Sequence, residues 1–285
     1  MDIFVRFLNA TLMITIPLGL GAYLTRRWNT GWRSFGVGAG IFILSQVFHL
    51  PFNRWVLQPW LETLGWRTPA TALLPVVVFY SLSAGLFEEV ARYLGYRFWL
   101  RDGVDWRSAL LYGAGHGGVE AILLGILALF SLIQLASLRD ADLRIMVKPE
   151  HLSLARAQVE AYWATPWYQV LLGAFERVVA ICFHLSASVL VLQVFRRQNH
   201  LWLGAAVLWH TALNAGAVFT AQLWGPVAAE ALLGGLTAIS LGIIFGLREK
   251  EQYPNPESGL GLPPLPELQP VPPSEEQIKD SRYVE

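Results

Sequence analysis

Seven long apolar runs follow one another along this chain, separated by short stretches that collect charge, proline and tryptophan. A helix needs about 20 mostly apolar residues to cross a bilayer. The runs at 3–24, 35–57, 72–96, 108–136, 167–195, 201–221 and 226–247 reach that length. The fourth is too long for one upright span and is expected to tilt or protrude. The pattern predicts an all-α, polytopic membrane helix bundle of about seven transmembrane helices. Trp28, Trp32, Trp55, Trp60, Trp99, Trp106, Trp167 and Trp202 fall near the ends of the runs, where an aromatic belt belongs.

Composition agrees. Apolar residues make up 54% of the chain and charged residues 15%, which excludes an ordinary soluble globule. A formal net charge of zero argues against a nucleic-acid partner. The single cysteine, Cys182, rules out an intrachain disulfide framework. Asp2 and Arg6 flank the first run and no small-residue cleavage pattern follows, so that run is expected to stay as a membrane helix. The expected location is the cell membrane, as a multi-pass integral protein with the lipid bilayer as a partner.

Basic residues alternate from side to side. Arg26, Arg27, Arg33, Arg97, Arg101, Arg107, Arg196, Arg197, Arg248 and Lys250 fall in the stretches after spans one, three, five and seven. The stretch after span two holds Arg54 and Arg67, and the one after span six holds none. The positive-inside rule then predicts an external N-terminus and a cytoplasmic C-terminus. Loop 137–166 has four basic and four acidic residues and reads as one large external segment. Residues 1–248 read as the transmembrane domain. Residues 249–285 hold eight prolines and many acids, and read as a disordered cytoplasmic tail.

Some residues do not belong in lipid. Span three carries Glu88, Glu89 and Arg92. Each charge at mid-membrane costs about 2.5–3.5 kcal/mol on insertion scales, so a polar site walled off from lipid is the cheapest explanation. Arg92 lies one turn from both glutamates and can pair with one, leaving the other free. Span four carries His116 and Glu120 on one helix face, among Gly113, Gly115, Gly117 and Gly118. Small residues there let neighbouring backbones approach closely. Span five carries Glu176, Arg177 and His184, of which Glu176–Arg177 reads equally well as a packing ion pair. Span six carries His210 and Asn214 one turn apart, both able to donate hydrogen bonds to an oxyanion or to a neighbouring helix. Gln46, His49 and Asn53 make a polar stripe on span two that reads slightly better as helix bonding than as a cavity wall. Counted from the expected cytoplasmic end at 1.5 Å per residue, Glu88 and His116 lie about 12 Å deep, His210 about 14 Å and His184 about 16 Å. Four helices thus bring ionisable residues to nearly one level, with Glu176 nearer the outside.

Glu88-Glu89-x-x-Arg92, Tyr112-x-x-x-His116 and His210-x-x-x-Asn214, each on its own helix, resemble the CAAX-processing and bacteriocin-processing superfamily of intramembrane proteases. Gly115-His116-Gly117-Gly118-Val119-Glu120-Ala121, with Glu176-Arg177 ahead of His184, looks most like the YhfC-type intramembrane metalloproteases within or near it. The resemblance covers roughly 35–221. Two departures stand out. The superfamily usually has three residues between the second glutamate and the arginine, and here there are two; it usually has Phe where Tyr112 stands.

The resemblance implies hydrolysis of a peptide bond within or near the membrane. Residues matching Glu88 and His116 would activate a water, Glu89 and Arg92 would support Glu88, and His210 and Asn214 would hold the oxyanion. It also implies a metal, expected to be zinc on His116, His184 and a carboxylate taken as Glu120. No HExxH pair is present, so the metal rests on convergence in space and on the family's label. The alternative is a proton- or ion-coupled transporter using the same Glu/His/Arg cluster; no evident inverted repeats support it. A third reading is a protein without activity that serves as a chaperone or immunity partner.

Overall fold

The computed structural model describes residues 2–66, 69–101 and 105–248. The expected tail at 249–285 lies outside the described residues, as do Arg67 and Lys250 of the orientation argument. Among the described residues there is no strand. The helices are α1 (Asp2–Trp28), α2 (Arg33–Phe52), α3 (Gln58–Thr63), α4 (Pro69–Phe98), α5 (Trp106–Leu138), α6 (Leu143–Met146), α7 (Leu152–Ala164), α8 (Trp167–Arg196), α9 (Leu201–Trp224) and α10 (Pro226–Gly246). Seven helical stretches among them are long and apolar enough to cross a membrane, and each expected run falls inside one of these to within a residue.

The second stretch runs on to Thr63, past the expected end at 57. It does so through a π-helical turn, Asn53–Leu57, that joins α2 to α3. Pro51 lacks the N–H that would bond one turn back, which loosens the helix just ahead of this turn. Beyond the apolar run a side-chain ladder carries the helix. Arg54 Nη1 donates to Gln58 Oε1 at 2.9 Å, and Gln58 Nε2 donates to Glu62 Oε1 at 3.0 Å.

Side chains at the helix ends pair off in two groups. At one end the Arg6 guanidinium lies 4.0 Å from the Tyr162 ring centroid and bonds the Tyr162 carbonyl, and Trp163 Nε1 donates to the Leu135 carbonyl at 3.2 Å. Asn9 Oδ1 accepts the Ala174 N–H at 2.8 Å. These contacts gather the start of α1, the end of α5 and the start of α8. At the other end Trp28 meets Trp106 at 6.0 Å, Arg33 Nη2 donates to the Trp99 carbonyl at 2.8 Å, and Trp106 Nε1 donates to the Ile244 carbonyl at 2.8 Å. Strict up-and-down threading of seven spans produces this partition. The segment expected as an external loop holds α6 and α7, short helices that the apolar pattern does not mark.

The central element is α5, which packs against α1, α2 and α8. Its glycines set how close they come. A Cβ at Gly115 would fall 1.9 Å from the Phe35 carbonyl oxygen of α2, and one at Gly117 would fall 2.7 Å from the His184 ring of α8. Arg92, Tyr112, His116 and Glu89 are among the largest fully buried side chains, while Phe48, Trp55 and Leu208 stand exposed. A polar interior beneath an apolar exterior inverts the soluble-protein rule and suits lipid as the outer solvent. The protein is a multi-pass membrane protein.

Candidate active site

Glu88, Glu89 and Arg92 occupy one turn of α4, and their neighbours come from four other helices, α2, α5, α8 and α9. Glu89 is fully buried and completely partnered. Its Oε2 accepts from Arg92 Nε at 2.8 Å, and its Oε1 accepts from Arg92 Nη2 at 3.3 Å and from His210 Nδ1 at 2.9 Å. Arg92 also reaches α8, with Nη1 donating to Ser188 Oγ at 2.7 Å and Nη2 to His184 Nδ1 at 3.0 Å. Arginine only donates, so His184 Nδ1 accepts and the neutral ring carries its proton on Nε2. That proton faces Glu120 Oε2, 2.8 Å away. Glu120 Oε1 accepts from Arg177 Nη1 at 2.7 Å, and Arg177 bonds Glu176 as well.

Glu88 uses its two oxygens differently. Oε1 accepts from Gln46 Nε2 of α2 at 3.0 Å. Oε2 lies 3.1 Å from His116 Nε2 and 4.0 Å from His210 Nε2. Glu88, Glu120, His184, His210 and Asn214 border one cavity of about 140 Å³. The sequence-expected residues Glu88, Glu89, Arg92, His116, His184 and His210 therefore meet directly. Asn214 reaches the same cavity from one turn along α9, and among the described residues its side chain makes no hydrogen bond. Glu176 stands at the cavity edge, tied to Arg177.

Three described donors, on Glu88, His116 and His184, offer atoms that all lie within 4.8 Å of one another. Two imidazoles and one carboxylate form a known catalytic zinc set. Glu88 Oε2 and His116 Nε2, 3.1 Å apart, have about the separation of two ligands each 2.0–2.1 Å from one zinc. His116 Nδ1 is buried with no partner among the described residues. The donor types fit a divalent metal once His184 frees a nitrogen, because in this structure its Nδ1 accepts from Arg92 and its Nε2 proton faces Glu120. Among the described residues, the carboxylate grouped with the two histidines is that of Glu88; Glu120, the carboxylate expected at the metal, accepts from His184 and Arg177.

The model of the YhfC intramembrane metalloprotease family matches residues 12–241. The chain belongs to that family. The match is wider than the expected 35–221 and takes in parts of α1 and α10. The chain is 30% identical over 216 residues to the "Uncharacterized membrane protein YhfC" of Bacillus subtilis (strain 168), covering 74% of this chain and 82% of that one. No solved structure matches. The family's name thus agrees with a buried cluster of possible metal donors inside a membrane bundle.

The two-residue spacing from Glu89 to Arg92 and the tyrosine at 112 have visible consequences. At two-residue separation Arg92 still grips Glu89, from within the same turn. The extra hydroxyl of Tyr112 donates to the Arg92 carbonyl at 3.1 Å. Sequence reasoning gave Ser188 no role, yet it fixes the Arg92 fork; a hydroxyl in a membrane helix carries no distinguishing signal, and only its position one turn from His184 hinted at it.

Proposed function

We propose that this protein is an intramembrane endopeptidase. The supporting observation is that Glu88 Oε2 is 3.1 Å from His116 Nε2, while Glu88 shares a cavity with His210 and Asn214. Glu88 takes the proton of the attacking water, and His116 orients that water from the other side. Glu89, neutralised by Arg92, holds His210 through Nδ1–H, so His210 donates to an oxyanion through Nε2 when the ring is doubly protonated. Asn214 supplies a second donor. If zinc is held by Glu88, His116 and His184, it would supply the Lewis-acid polarisation and water activation, and Glu88 and His116 would then serve as ligands instead of acting on the water directly.

The substrate in this reading is a membrane-embedded or membrane-adjacent peptide or protein. The basic ends of the helices face the cytoplasm, residues 1–248 form the catalytic domain, and 249–285 form a cytoplasmic tail. The test has two arms. Metal bound to the purified full chain is measured by mass spectrometry for wild type, His116→Ala and His184→Ala; about one zinc in wild type and none in either variant is expected for a three-ligand site. Quenched-fluorescent peptides bearing an apolar stretch are then offered to the protein in vesicles, where Glu88→Gln should lower cleavage about 10²–10⁴-fold. Glu88-dependent proton flux without cleavage would replace this reading with the transporter.

A further inference from the structure

The polar stripe of Gln46, His49 and Asn53 leads by hydrogen bonds to Glu88. Gln46 donates through Nε2 to Glu88 Oε1 at 3.0 Å, and its other atom, Oε1, faces His49 Nδ1 at 3.2 Å. Turning the amide over would set its oxygen against a carboxylate, so this orientation is fixed. Gln46 Oε1 can only accept, which places a proton on His49 Nδ1. His49 Nε2 is then an acceptor, and Asn53 Nδ2 donates to it at 2.8 Å. Asn53 Oδ1 accepts in turn from Ser83 Oγ at 2.6 Å. Ser83 Oγ also lies 2.9 Å from His49 Nε2 and 3.2 Å from the Tyr80 carbonyl, and its single hydrogen serves one of these acceptors at a time.

Every bond in this chain points the same way, from Ser83 to Asn53, His49, Gln46 and Glu88. Aligned bonds polarise one another and strengthen the last. His49 and Ser83 are buried, and Asn53 opens the π-helical turn, a feature frequent at functional sites. We propose that Gln46, His49, Asn53 and Ser83 are positioning residues that tie down Glu88 Oε1 and so leave Oε2 as the oxygen presented to His116 and the cavity. The inference rests on Glu88 as the working carboxylate of the proposed site.

The test reads two quantities on the detergent-purified full chain: affinity for zinc alone, by competition with a chromophoric chelator, and the infrared carboxylate band assigned to Glu88 by its loss in Glu88→Gln. Gln46→Leu and His49→Phe should weaken zinc binding about 10–100-fold, the usual effect of losing a group that orients a ligand, and should shift the Glu88 band. His49→Asn, whose amide can donate from the place of Nδ1, should stay near wild type. Packing alone forecasts the opposite order, because the His49 ring lies 5.5 Å from Phe87 and phenylalanine would preserve that contact. That opposite order overturns the proposal. If wild type binds no zinc, the metal reading fails separately and the band decides: unshifted in Gln46→Leu and His49→Phe, it overturns the relay. Should His49→Phe fail to fold, Gln46→Leu leaves the histidine ring in place and carries the same comparison.

Discussion

Arg92 commits its N–H groups to four contacts inside the protein: two to Glu89, one to Ser188 and one to His184. Removing it leaves Glu89 as a buried charge held by His210 alone. Arg92→Leu is therefore expected to cost about 3–5 kcal/mol, read as a lowered thermal midpoint in detergent. Arg92→Lys should recover little, since an ammonium cannot reproduce a fork that grips both Glu89 oxygens. A midpoint unchanged in Arg92→Leu would show the pair to be dispensable. At this scale the sequence was most legible where a residue is costly in lipid. Glu88, Glu89, Arg92, His116, His184 and His210 stood out for that reason. Ser188 and the bond from Gln46 to Glu88 did not, because hydroxyls and amides are cheap enough in membrane helices to have many ordinary uses.

Helix pairs show what the spacing of small residues is for. Gly95 on α4 faces Tyr112 on α5 so closely that a Cβ would fall 2.1 Å from the Tyr112 hydroxyl. Gly95→Ala should therefore destabilise the bundle by about 1–3 kcal/mol, an overpacking cost. Tyr112→Phe alone loses one hydrogen bond, worth about 1 kcal/mol. Together they should be less than additive, because the atom that meets the new methyl is gone; Ile41, 2.9 Å from that point, keeps the rescue partial. Thermal unfolding of the two single variants and the double would measure the coupling, and strict additivity would count against the contact. The glycine run of α5 announced close packing in the sequence, but not its partners, which are set by tertiary register. The π-helical turn and α7 were hidden altogether: neither changes the apolar pattern from which spans are read.

Over the whole molecule, the threading of seven spans was readable from apolar run length alone. The alternation of arginines is the basis for proposing which end faces the cytoplasm. In a Cys182→Ser background, a cysteine at Ile145, 85% exposed between α5 and α8, should react with a membrane-impermeant thiol reagent on intact cells. One at Gln198, exposed between α8 and α9, should react only after lysis. The reverse pattern would invert the topology. The Glu89–Arg92 ion pair also bears on how this protein is made. Both partners belong to one turn of α4, so they can neutralise each other before any later helix exists. Ser188 and His210, which complete their bonding, lie 96 and 121 residues further along the chain. Separately inserted charges would cost the translocon about 2.5–3.5 kcal/mol each. A self-contained pair lets the nascent third span partition into the bilayer while the ribosome is still building the helices that will enclose it.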